Sequence, residues 1–238
     1  MTHELKYLLR RCITKEFLID VEDGVRGEVL KAHTVIRDHT GLDARRGRVS
    51  EGRLRFPMME HRFEEVAKLH GWLPLDNDVL PGTDLKVFQP FVRMEAEGQG
   101  VILGLATLPE PRSLPSKNKS RKAAVVLNYD LIPRLDFEGT GPKIGDIYAI
   151  LGVARDRERA GQIEEIAIGV IGAEYDTYIL YESLDKFLSD EEDTTSPHPS
   201  NPTDPTPTPP TPVALKKKVI PFVPPEKRNG VGDKTGTE

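Results

Sequence analysis

A chain of 238 residues, 37% hydrophobic and 30% charged, suits one domain of ordinary size with a real core, or one domain plus a tail. Its formal net charge of −5 argues against a uniformly basic nucleic-acid binder, and leaves room for a local basic patch. The lone Cys12 excludes an intramolecular disulfide and suits a reducing cytosol; no apolar run approaches the roughly 20 residues that span a bilayer.

The N-terminus, "MTHELKYLLRRC", is charged throughout and lacks the apolar run of a signal peptide, so a cytoplasmic protein is expected. The compact, arginine-rich composition suggests a bacterial source. Leu5, Leu8, Leu9, Cys12, Ile13 and Phe17 recur at helical spacing, which predicts a first helix with Cys12 as a core thiol. Val25, Val29, Ala32 and Ile36 predict a second helix, stopped near Gly41. "LDARRGRVSEGRLR" reads as polar loops around a short helix. A third helix is predicted from Pro57, with Met59, Phe63, Val66 and His70 on one face and Gly71 closing it.

Beyond residue 71 the period changes. Apolar, β-prone runs at 85–94, 101–108, 123–131, 147–154, 163–171 and 177–181 predict about six strands, separated by Gly, Pro, Asp and Asn clusters. No convincing helix lies between them, so antiparallel neighbours are expected. The run 147–154 is apolar at every position, as in a strand covered on both faces. "SLDKFL" predicts a closing helix. The fold class is therefore α+β: residues 1–71 are the helical part and 72–188 the β-rich part of the same domain, helices packing on a mostly antiparallel sheet.

From residue 189 the chain turns acidic and proline-rich, with eight prolines between 197 and 212. Such a segment buries too little apolar surface to offset the entropy of ordering, so 189–213 is expected to be a disordered linker. In polyproline II geometry those sixteen residues reach roughly 50 Å. Beyond them, 214–238 is expected to be disordered when free and to carry a partner-binding peptide. Lys216, Lys217 and Lys218 supply charge, and Val219, Ile220, Phe222 and Val223 an apolar anchor.

The histidines at 3, 33, 39, 61, 70 and 198 show no metal-ligand spacing, so structural or surface roles are expected and no metal or cofactor is assigned. "GTGPKIG" lacks the order of a phosphate-binding loop and reads as a turn. A nuclease-like arrangement is the one catalytic candidate. Glu64 on a helix and Asp84 at a strand start would hold Mg²⁺, but the following strand, "VILGLATL", carries no carboxylate or lysine. Six arginines fall within residues 45–62. Among them Arg45, Arg46, Arg48, Arg53 and Arg55 form one basic segment, and Lys117, Lys119, Arg121 and Lys122 form another.

These groups grip phosphates. The expectation is a non-catalytic binding or adaptor protein with a basic anion-binding surface and a tethered peptide for a second protein. A metal-dependent nuclease using Asp84, and a nucleic-acid binder working through 45–55 and 117–122, are the alternatives.

Overall fold

Three helices, a six-stranded sheet and a short crossover layer build the domain in this computed structural model, which describes residues 2–75, 86, 89–132 and 145–189. All of these fall within one compact unit, Met1–Glu192. The linker and terminal peptide, including Lys216 to Val223, lie outside the described residues, as does Asp84.

Helix α1 spans Thr2–Cys12 and α2 spans Lys15–His39. The stripe that predicts one helix through Phe17 is broken at Thr14, which adopts an extended backbone and accepts from Phe17 N at 3.3 Å as the N-cap of α2. Leu5, Leu9, Cys12 and Ile13 on one side of the break, and Phe17, Leu18, Val21, Val25 and Val29 on the other, all join one core. Helix α3 spans Ala44–Leu69, longer than predicted. Asp43 accepts from Arg45 N and Arg46 N at 3.0 and 2.9 Å, capping a start thirteen positions before Pro57. The segment expected to be mostly loop is thus the first half of α3, and Pro57 lies inside the helix. Gly71, at φ +81°, supplies the left-handed residue that ends it.

Helices α2 and α3 run antiparallel. His33 Nδ1 meets Glu51 Oε2 at 2.9 Å near one end of the pair, and His70 Nε2 meets Asp20 Oδ2 at 2.8 Å near the other. These bonds account for both histidines structurally, and His70 also packs edge-on against Phe17.

The sheet runs β1 (Leu73–Pro74), β2 (Phe91–Ala96), β3 (Gln99–Leu108), β4 (Ile147–Arg155), β5 (Ile163–Ile171), β6 (Tyr178–Ser183), in that spatial order. Every neighbouring pair is antiparallel except β3 and β4, which are parallel. On β4, Ile147, Ala149, Leu151 and Val153 join the helix-side core, while Tyr148, Ile150 and Ala154 join the opposite one. Burial on both faces explains its unbroken apolar run. Helix α5 (Leu184–Leu188) closes the domain, with Arg10 donating to Phe187 O.

Residues 123–131 are not a strand. Asn118 caps α4 (Lys119–Ala124) by accepting from Arg121 N at 2.8 Å, and Val125–Leu131 continues as a 3₁₀ helix. This pair is the crossover that a parallel β3–β4 connection requires, contrary to the expectation that none exists. Asn128 is the reason it lies there. Fully buried, its amide donates to Tyr148 O and Ile171 O at 2.8 Å each and its carbonyl accepts from Tyr148 N at 2.9 Å. β4 and β5 pair only from Ile150 and Gly169 onward, so Asn128 satisfies the backbone where the two strands part.

Candidate anion-binding site

Because β3 and β4 are parallel, their carboxyl ends finish side by side, with Leu108 opposite Ala154. Open sheets place ligands in crevices at such ends. A register shift between Ala154 and Arg155 interrupts β4 there, the device that re-aims a side chain at a strand end. The turn that follows is braced by Asp156. Its carboxylate accepts from Glu158 N and Arg159 N at 2.8 Å each and from Arg159 Nε at 2.7 Å. Hydrogen bonding from the Arg159 backbone, then from its side chain, holds Asp156 below the usual carboxylate range. Its charge is used within the turn.

Arg157 ties this turn to the loop leaving β3, donating to Pro109 O at 3.2 Å and pairing with Glu110 at 2.8 Å. Arg55 arrives from α3. Between them is a cavity of about 330 Å³ whose polar lining is Arg55, Arg155, Arg157, Thr107 and Ser116, over Leu108 and Pro109. Among the described residues no carboxylate lines it. Arg155 has no acid partner among the described residues. Arg55 Nη1 lies 3.7 Å from Glu51 Oε1, beyond hydrogen-bond reach, and is buried with no acceptor. Burial, and then the like charge of Arg155, push the Arg55 guanidinium below its ordinary pKa; Glu51 only partly opposes them.

A second cavity of about 420 Å³ shares Arg155 and Arg157 with the first. It lies against α2 and α3, where His33, Arg37, Asp43, Arg48 and Glu51 contribute polar groups and Ile36, Leu42 and Ala44 apolar wall, and the turn after β4 adds Asp156 and Glu158. Gly161, at φ +73°, lies against His33; a Cβ there would stand 2.8 Å from the His33 Cβ. Only glycine lets the turn approach this closely.

Comparison with protein-family models, with curated proteins and with solved structures found no match in any of the three.

The structure sorts the predicted basic residues. Arg48 and Arg55 line the cavities. Arg45, Arg46 and Arg53 are exposed elsewhere on α3, and Arg46 pairs with Asp43 at 2.7 Å. Of the second segment, Lys117, Lys119 and Lys122 are exposed, with Lys117 Nζ 5.3 Å over the Tyr175 ring. Arg121 is 4% exposed and donates to Ser116 O at 3.0 Å and Leu105 O at 3.4 Å, so it supports the loop from inside rather than joining a binding surface. Ser116, one residue before the second segment, shares a cavity with Arg55, but Lys117, Lys119, Arg121 and Lys122 line neither cavity.

Glu64 is half-buried on α3, and among the described residues no His, Cys, Asp and Glu group could hold a metal ion. Cys12 is 2% exposed and burial pushes its thiol upward, which makes it an inert core residue. No described helix is long and apolar enough to cross a membrane. Sequence reasoning missed Arg37, Arg155 and Arg157. The signal for the last two was "ARDRER", a burst of charge directly after an apolar strand.

Proposed function

We propose that this is a binding protein whose cavity at the carboxyl ends of β3 and β4 captures a phosphate group. One observation carries the reading: three arginines and two hydroxyls converge on one cavity with no carboxylate among its described lining residues. Converging cations cost folding free energy, and an anion in their midst reverses the sign of that interaction. Arginine forks match phosphate oxygens two at a time, and hydroxyls complete the shell. Arginines hold charge at every physiological pH and move no protons, which favours capture over turnover. In this reading the terminal peptide Lys216–Val223 is the second attachment point of an adaptor, held near the domain's ligand at an effective concentration on the order of millimolar.

The test is a thermal titration of the full-length protein with inorganic phosphate at low ionic strength. Ligand at ten times its Kd stabilises by about 1.4 kcal/mol, which raises the melting temperature of a domain this size by roughly 3–6 °C. Arg155→Ala removes an exposed side chain at a register shift, and is expected to abolish the response while leaving the ligand-free melting temperature unchanged or higher. Equal responses from wild type and variant would overturn the assignment.

A further inference from the structure

The two cavities share Arg155 and Arg157, so a ligand gripped by its phosphate in the first has its remaining part in reach of the second. We propose that the bound molecule is a phosphate monoester of a small polyol, its phosphate on Arg55, Arg155 and Arg157 and its hydroxyl-bearing body in the second cavity. The inference rests on the phosphate reading and deepens it.

Size comes first. At about 30 Å³ per water-sized group, 420 Å³ admits a body of about a dozen non-hydrogen atoms. Chemistry narrows the choice. Glu51, almost fully buried, meets His33 Nδ1 at 2.9 Å, and the cavity is also lined by the carboxylates of Asp43, Asp156 and Glu158, which accept. Arg48, from the same wall, has no acid partner among the described residues and offers only donors. A wall mixing carboxylate acceptors with guanidinium donors is met by groups that both donate and accept, and hydroxyls do this.

Ile36, Leu42 and Ala44 supply the apolar strip that covers carbon-bound hydrogens. Among the described residues no phenylalanine, tyrosine or tryptophan lines either cavity, so a nucleobase would have only His33 and the arginine planes to stack on. The mixed polar wall and the narrow apolar strip favour a sugar phosphate over a nucleotide.

The experiment is calorimetric titration of the full-length protein with inorganic phosphate, glucose 6-phosphate, glucose and AMP. Wild type is expected to bind glucose 6-phosphate at least tenfold tighter than phosphate, and tighter than AMP or glucose. Gly47→Leu tests the second cavity alone. A Cβ at Gly47 stands 3.6 Å from Ile36, so leucine extends into the space, and replacing a helix glycine protects folding. This variant is expected to lose the tenfold preference while its phosphate affinity stays that of wild type. His33→Gln, which keeps hydrogen-bonding capacity, is expected to lose only part of it.

If phosphate binds and glucose 6-phosphate binds no tighter, or if AMP is preferred, this inference is wrong and the phosphate site survives. If neither phosphate nor its esters bind, the parent reading falls, and this one with it.

Discussion

Replacing Asn128 with leucine, similar in shape but unable to hydrogen bond, strands three buried backbone groups: Tyr148 N–H, Tyr148 O and Ile171 O. Each buried polar group left without a partner costs about 1–3 kcal/mol, carbonyls at the lower end, so a total near 4 kcal/mol is expected. For a domain of this size that lowers the melting temperature by roughly 8–16 °C. Urea unfolding should show a lower midpoint with an unchanged slope, since the surface exposed on unfolding is the same. Asn128→Asp gives an independent check. A buried carboxyl has its pKa raised above the unfolded value, because the ionised form loses hydration and cannot donate to the two carbonyls.

Its penalty is therefore small below about pH 4, where both states are protonated, and grows as pH rises above that. A loss under about 1 kcal/mol for the leucine variant, or a flat pH response for the aspartate, would refute the view that Asn128 closes the gap between β4 and β5.

Other outcomes follow from the same geometry. Gly27 in α2 and Gly52 in α3 are exposed, and a Cβ at either meets nothing within 4 Å. Alanine at each should stabilise by about 1 kcal/mol, seen as a higher urea midpoint. Burial, and then the neighbouring Glu64, raise the Glu60 carboxyl above its ordinary pKa, so the folded state resists its ionisation. That penalty acts once pH exceeds the unfolded value; Glu60→Gln should raise the melting temperature at pH 7 and give no gain below about pH 4. Deleting residues 213–228 should leave the melting temperature unchanged while removing a partner protein captured by the full-length chain; a lower melting temperature would place that peptide in the fold.

Local chemistry was legible wherever one residue's neighbours in sequence are also its neighbours in space. The helical stripes, the apolar runs of β3, β4 and β5, and Gly71 as a stop all follow from spacing along a single element. The 123–131 segment misled because its apolar residues satisfy either a strand or a buried turn; Asn128 decides between them with partners 20 and 43 residues away. α3 was read as starting too late because Pro57 resembles a helix start, while the Asp43 cap stands before a polar stretch with no apolar stripe to announce it.

By itself the amino-acid order determined that helices precede a mostly antiparallel sheet, that Cys12 is core, and that arginines are plentiful between 45 and 62. Which arginines converge was decided only by the fold. Arg55, Arg155 and Arg157 come from a helix and a strand end a hundred residues apart, and they meet because β3 and β4 are parallel and finish together. The same packing turned Arg121 inward. Sequence spacing reports which side chains share a face of one element, and a binding site is made where faces of several elements are brought together.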